Sequence, residues 1–519
     1  MKRLLNKRKT HMRDRNRTQL EQGEAIKDVD PIESSLENNL KRIKADMENS
    51  ADLVVREVVL KKDTELQLGI IYLDGLVDDQ KINDCISLIM EHSYLENVIE
   101  GDGFQSVFQK ASMLGKQQIL KKYSEVTKEI LSGSSIIIVN GFPKAISGSS
   151  KGEKQRGIEE PSSQVVIRGP KDGFTESLST NIALIRKRLK NPKLCVGMYT
   201  IGDVTNTDVA LLYMEGRVNE EVLEKVKHRI SHIQTEGIFE SGNIEEFIED
   251  RSFTLFPTIN NTERPDSAAA NLLEGRIVIL VDGTPFCLIA PFTFFQSFQS
   301  PEDYYHRYDI ATIFRFLRFF SFLASLLGTS VYVAATTYHP EMIPTPLLLS
   351  LAAQREGMPF PIVIEALLME LSIEILREAG IRMPRAVGQA VSIVGALILG
   401  EAAVQAGIVS PGMVIIVAFT AITSFITPAY NMAISIRMLR FVLVFFSAAI
   451  GLYGIAIILI FVIAHLCSMQ SLGVPYMTPI APFCVAAQKD TLFRFPIWSF
   501  QSQVNKNRMK VDEENQGHS

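Results

Sequence analysis

The chain has 519 residues, a net charge of −5 at pH 7 and 46% hydrophobic residues. That balance lacks the basic footprint of a nucleic-acid-binding protein. Five cysteines (Cys85, Cys195, Cys287, Cys467 and Cys484) lie far apart with no CxxC pair and no Cys/His ligand spacing, so neither a zinc site nor a disulfide framework is indicated. A mean hydropathy of +0.13 averages two unlike halves, because nearly all the long apolar runs fall after about residue 310.

Residues 1–46 open with KRLLNKRKTHMRDRNR and read as a basic, disordered extension, with contact to anionic lipid as the alternative. No apolar segment of signal-peptide type follows, so the soluble half is expected to stay in the cytoplasm. Residues 47–145 predict a first α/β lobe. It has a helix-like start in ADLVVREVVL, a strand in ELQLGIIYLDGLV ending at Asp74-Gly75, the helix INDCISLIMEHSYL and the strand SIIIVN.

Residues 146–165, rich in Ser, Gly, Lys and Glu, read as a flexible loop before a second α/β lobe over 166–285. Tyr72-Leu73-Asp74-Gly75 is echoed by Tyr213-Met214-Glu215-Gly216, a weak internal repeat. Helices between the strands favour a mixed or parallel sheet. The basic helix IALIRKRLKNPK is read as a solvated face contacting the other lobe, with phosphate or lipid binding as the alternative.

The Pro-rich stretch around PFCLIAPFTFF, residues 286–311, is expected to form a membrane-surface or re-entrant collar. Residues 312–488 predict an α-helical multi-pass membrane domain of about five spans, each near the ~20 residues a bilayer requires. They are Phe316–Tyr338, Pro359–Gly380, Ala386–Ile408, Pro411–Ile436 and Phe441–Met469, followed by a polar tail over 489–519. Arg315 and Arg318 precede the first span, Arg377 to Arg385 follow the second, and Arg437 and Arg440 fall between the fourth and fifth. YHPEMIPTP and GIVSPG carry no Lys or Arg, which puts the soluble half in the cytoplasm. Five spans then strand the basic tail (Lys489, Arg494, Lys506, Arg508) on the wrong side, so either SLGVPYMTPIAPFCVAAQ re-enters or the count is off.

The second span, PFPIVIEALLMELSIEILREAGIRMP, is interrupted by Glu365, Glu370 and Glu374. At about 1.5 Å per residue it can cross a bilayer, but each carboxylate at depth costs roughly 2.5–3.5 kcal/mol, so this face should turn toward protein or water. Glu370 and Glu374 share a face near Val363, Ala366 and Leu367, and these five residues are pore-lining candidates. Repeated about an axis, the carboxylates would favour cations, while the small apolar residues could close the path by dewetting. The competing reading pairs the carboxylates with Arg377, Arg382 or Arg385 between subunits. Glu365, Gln389, Ser392, Glu401 and Gln405 are intramembrane polar candidates, the last four best explained by helix packing. Pro428, lacking a backbone donor, is a hinge candidate, equally readable as a plain kink. No nucleophile triad, metal cluster or dinucleotide fingerprint is present in the sequence, so no enzyme activity and no cofactor are expected.

IRGPKDGFTESLSTNIALIRKRLKNPKL, EGRIVILVDGTPFCLIAPFTFFQSFQSPEDYY, the acidic helix, VGQAVSIVGALILGEAAVQAGIVSP and SFITPAYNM together resemble the A subunits of GerA-type spore germination receptors. The resemblance implies a protein of the spore inner membrane. It would act with a transporter-like B subunit and a lipoprotein C subunit, and assemble with itself as a pentamer into a nutrient-gated channel for monovalent cations. A non-conducting scaffold, a substrate carrier and the related dipicolinic-acid release system are the alternatives.

Overall fold

Leu53–Leu60 (β1) and Leu66–Leu73 (β2) pair antiparallel from Leu53↔Leu73 to Leu60↔Leu66. The stretch expected to start as a helix is therefore a strand, in keeping with its four valines. In the computed structural model the described residues are 30–60, 66–95, 103–150, 152, 160–161, 164–250, 253–384, 395, 400–483 and 487–496. They fall into one unit of Met1–Ser163, Lys171–Ile244 and Asn261–Ile289, and a second of Gln164–Pro170, Glu245–Asn260 and Ala290–Ser519.

The first unit holds two lobes. The first lobe contains α1 (Leu36–Asp46), β1, β2, α2 (Asp79–Leu95), α3 (Gly103–Lys110), β3 (Gln117–Leu120), α4 (Tyr123–Leu131), β4 (Ser135–Val139) and β5 (Ala145–Gly148). The second contains α5 (Leu178–Arg188), β6 (Leu194–Ile201), β7 (Thr207–Met214) and α6 (Glu220–Ser231). After α7 (Ser241–Ile248) come β8 (Asn260–Thr262), α8 (Pro265–Leu273), β9 (Ile277–Val281) and β10 (Cys287–Ala290). Their strand orders are β1-β2-β4-β5-β3 and β6-β7-β9-β10-β8, the same arrangement twice, as the weak repeat suggested.

The described strand pairs of both sheets are antiparallel, which corrects the mixed or parallel expectation. The apolar run of β4 misled because both sheet faces are covered. Ile136 and Ile138 pack with Leu36, Leu40 and Val126, whereas Ile137 and Val139 pack with Ile82, Phe104 and Val107.

Three boundaries also move. Residues 36–46 form α1, capped by Ser35, whose Oγ accepts from Asn38 N at 3.4 Å, with Leu36, Leu40 and Ile43 in the first core; residues 1–29 lie outside the described residues. The expected loop begins within β5, a core strand. The expected collar takes in the whole of β10, a core strand, while Phe294–Phe298 is a short 3-10 helix packed on Phe322 and Tyr476.

The second unit contains α9 (Glu302–Tyr305), α10 (Tyr308–Tyr338), α11 (Thr345–Arg355) and α12 (Ile362–Arg382). These are followed by α13 (Pro411–Ser424), α14 (Tyr430–Ile450) and α15 (Leu452–Ser468). Among the described residues α10 and α14 are long and apolar enough to cross a membrane, and α13 and α15 are shorter apolar helices. The expected fourth and fifth spans are divided differently. The chain breaks around Pro428, which cannot donate to a helix, and at Gly451 (φ 72°), giving three helices where two were expected. Arg437 and Arg440 therefore sit inside α14 rather than in a loop. Most of the expected third span lies outside the described residues, although Gly400–Gln405 is helical.

Contacts fix the helix directions. At the start of α10, Arg315 pairs with Asp303 (2.9 Å) and Asp490 (2.8 Å), and Arg494 N donates to Thr312 Oγ1 at 3.2 Å. At its end, Tyr338 Oη donates to the carbonyls of Ala448 and Ala449 at 2.8 and 2.9 Å, so α14 runs parallel to α10. From Gly451 α15 returns, and its His465 Nε2 meets Thr254 Oγ1 at 3.1 Å. In α12, Glu365 lies beside Ser410 at the start of α13, and Arg377 beside Ser424 at its end, so α12 and α13 run alongside each other. Asp490 and Arg494 thus lie at the end of the bundle where α10 begins, whereas Lys506 and Arg508 of the basic tail lie outside the described residues.

Candidate functional site

The acidic helix organises the second unit. Ile362, Glu365, Ala366, Met369 and Glu370 recur at helical spacing and are buried against α10, α13 and α14. Val363 and Leu367 flank this face and pack on the same apolar cluster as Val333, Met413 and Val417. Sequence reasoning placed these residues, with Glu370 and Glu374, on an oligomer axis; within one subunit they face its own bundle.

Each carboxylate has a defined partner. Glu365 Oε2 accepts from Ser410 N (3.0 Å) and Oγ (2.9 Å), at the first turn of α13, while Arg355 lies 3.8 Å from its Oε1. Glu370, 1% exposed, accepts from Thr329 Oγ1 at 2.7 Å and pairs with Arg440 at 2.7 Å. Glu374 is the half-open member. Its side chain is 23% exposed and meets Arg377 at 2.9 Å, Arg437 at 3.3 Å and Arg440 at 3.6 Å. Arg377 also donates to Ser424 Oγ at 3.2 Å and lies 5.0 Å from the Phe425 ring. Two carboxylates one turn apart on α12 thus meet two arginines three residues apart on α14. Removing one partner of such a buried pair costs roughly 3–5 kcal/mol, because the other charge is left uncompensated.

The opposite face of α12 is apolar and exposed among the described residues. Ile364, Leu368, Leu371 and Ile375, spaced four, three and four residues apart, are exposed, and the stripe ends at the exposed Glu378–Arg382 pair. Gln405 Nε2 donates to Glu401 Oε1 at 3.1 Å on an exposed surface, so these two partner each other. Gln389 and Ser392 lie outside the described residues, and Pro428 occupies the break between α13 and α14. Sequence reasoning missed Thr329, Ser410, Arg437 and Arg440. The signal was present in the one-turn spacing of the last two, hidden by their assignment to a loop.

In the first unit, Arg186 of the basic helix contacts the other lobe as expected, but it is buried rather than solvated and joins the lobes. Its guanidinium donates to Asp52 at 2.7 and 2.9 Å and to Ser50 Oγ at 2.9 Å. Beside the junction, a cleft of about 750 Å³ is lined by Asp46, Glu48, Lys128, Lys190 and Lys193, with hydroxyls from Ser124 and Thr127. Burial pushes the Cys85 and Cys195 thiols up to about 11, so neither is a reactive thiolate.

The fold and site define a two-lobed α/β protein joined to an apolar helical unit with an internal charge network. The chain belongs to the Bacillus/Clostridium GerA spore germination protein family, whose model matches residues 41–506. It is 52% identical over 468 residues to spore germination protein KA of Bacillus subtilis (strain 168), covering 90% of this chain and 86% of that one. It is 37% identical over 478 residues to spore germination protein A1 of the same organism, covering 92% and 97%. Among solved structures, the N-terminal domain of the A subunit of the Bacillus megaterium spore germinant receptor GerK3 matches with 36% identity and a TM-score of 0.41, covering 51% of this chain and 98% of that chain. The resemblance carried by the sequence motifs therefore holds: this is an A-subunit-type germination protein.

Proposed function

We propose that the chain is the A subunit of a nutrient-responsive germinant receptor in the spore inner membrane, and that several copies form a gated path for monovalent cations beside B and C subunits. The observation that carries this reading is the two-faced α12. Its carboxylates Glu370 and Glu374 are held inward by Arg437 and Arg440, while Ile364, Leu368, Leu371 and Ile375 form an apolar stripe about three turns long that is exposed among the described residues. Facing a shared axis, that stripe would close the path by dewetting, with the charges stored behind it. Rotation of α12 would exchange the two faces. Passage of α10, α12, the segment before α13, and α13 to α15 across the bilayer would keep the first unit and the C-terminal stretch on the cytoplasmic side, where the arginine-rich ends lie.

The test is potassium flux through liposomes containing the purified full chain, alone and with its B and C partners. Nutrient-dependent flux that disappears when the A subunit is omitted supports the channel. Flux that persists without it, or none with the complete set, supports a coupling scaffold.

A further inference from the structure

Around Glu374 the charges do not balance. Three guanidiniums, those of Arg377, Arg437 and Arg440, converge on two carboxylates, Glu370 and Glu374, leaving one positive charge over. Arg440 is 1% exposed and Arg437 9% exposed, so water does not compensate the excess. Nor does deprotonation, because a guanidinium keeps its proton in proteins. The donors are underused as well. Nε and Nη1 of Arg440, Nε of Arg437 and Nε of Arg377 lack a hydrogen-bond acceptor. The Phe425 ring beside Arg377 offers a quadrupole, not a charge. The remaining carboxylates of α12 are committed elsewhere, Glu365 to Ser410 and Glu378 to Arg382.

We infer that this network is a binding site for one small monovalent anion, of the halide or nitrate class, held by Arg437 and Arg440 of α14 at the edge of the Glu374 carboxylate. One missing charge sets the valence. The close packing of α12 against α14 sets the size, since Glu370 and Arg440 already meet at 2.7 Å. The partial exposure of Glu374 marks the side from which the ion enters. Bound there, the anion completes the charge balance that keeps α12 and α14 together and favours the packed arrangement over one in which the arginines separate.

The probe is chloride, replaced stepwise by gluconate at constant sodium and ionic strength, with the full-length protein in detergent micelles. The unfolding midpoint of the wild-type protein should rise with chloride and saturate. Arg437→Gln, which balances the charges, should abolish the rise. Glu374→Gln, which leaves a second positive charge, should lower the half-saturating chloride concentration at least threefold. No saturable rise in the wild type would mean that the missing charge comes from another copy or another subunit and would overturn the proposal, as would equal rises in all three proteins. Should Arg437→Gln fail to fold, chloride-35 line broadening by the wild type, displaced by nitrate and stronger with Glu374→Gln, gives the same decision; no displaceable broadening overturns the site. Neither readout depends on whether the protein conducts ions.

Discussion

Arg186 of the second lobe grips Asp52 of the first with two hydrogen bonds, Nε to Oδ2 at 2.7 Å and Nη2 to Oδ1 at 2.9 Å, with both side chains buried. Ser50 completes the arrangement, accepting from Arg186 Nη2 and from Val196 N at 2.9 Å and donating to Asp52 Oδ1 at 2.7 Å. This arginine fixes the pose of two like-folded lobes. Arg186→Met should destabilise the first unit by roughly 3–5 kcal/mol, because Asp52 would be left charged and buried. Arg186→Met combined with Asp52→Leu should recover much of the loss. Urea unfolding of the four-member cycle checks this; additive single losses would contradict the coupling.

The Glu370–Arg440 pair should behave in the same way within the helical unit. Arg440→Met alone should lower the unfolding midpoint in detergent more than Arg440→Met with Glu370→Leu, since only the single substitution strands a buried carboxylate. Equal losses would show that the pair is not a unit.

Helix directions make a labelling prediction. Glu341, beyond the end of α10, and Gln488, beside its start, lie at opposite ends of the bundle. Cysteines placed there in a chain without native thiols should react with an impermeant maleimide from opposite sides of a sealed vesicle. Reaction from one side would contradict the proposed even number of passes.

One carboxyl group outside the bundle gives a pH dependence. Burial raises the pKa of Glu249 above its ordinary 4.5, a shift partly offset by Thr258, whose Oγ1 donates to it at 3.2 Å, and reinforced by nearby Glu246. The folded state therefore holds this proton more tightly than the unfolded chain. Its stabilising contribution is complete below the unfolded value and is lost as pH rises through the folded one. Glu249→Gln should flatten the stability profile just above pH 4.5, measured as unfolding midpoint against pH. An unchanged profile would contradict the assignment.

The sequence made the two-lobed plan legible, because Asp74-Gly75 and Glu215-Gly216 each close a strand and precede a helix. Strand direction was not legible, since SIIIV divides its isoleucines between two cores and so reads like a parallel strand. The acidic helix was located correctly as an element, but its partners depended on where the long apolar run after Pro411 breaks. Hydropathy does not register Gly451 as a boundary, so two inward-facing arginines were read as topological markers. The basic helix was read as contacting the other lobe, and Arg186 does so, but its burial was not legible because a basic run at a helix end looks solvated until another lobe supplies an aspartate.

In the proposed channel the outer stripe of α12 closes the ion path. The measurement that tests it most directly is potassium retention by dormant spores carrying Leu368→Ser with Leu371→Ser, compared with wild-type and gene-deleted spores. Serine at both positions hydrates the constriction without touching the charge network, so spores with normal levels of the protein should leak potassium without nutrient. Spores that assemble the variant normally, retain potassium and respond to nutrient as wild type would contradict the account.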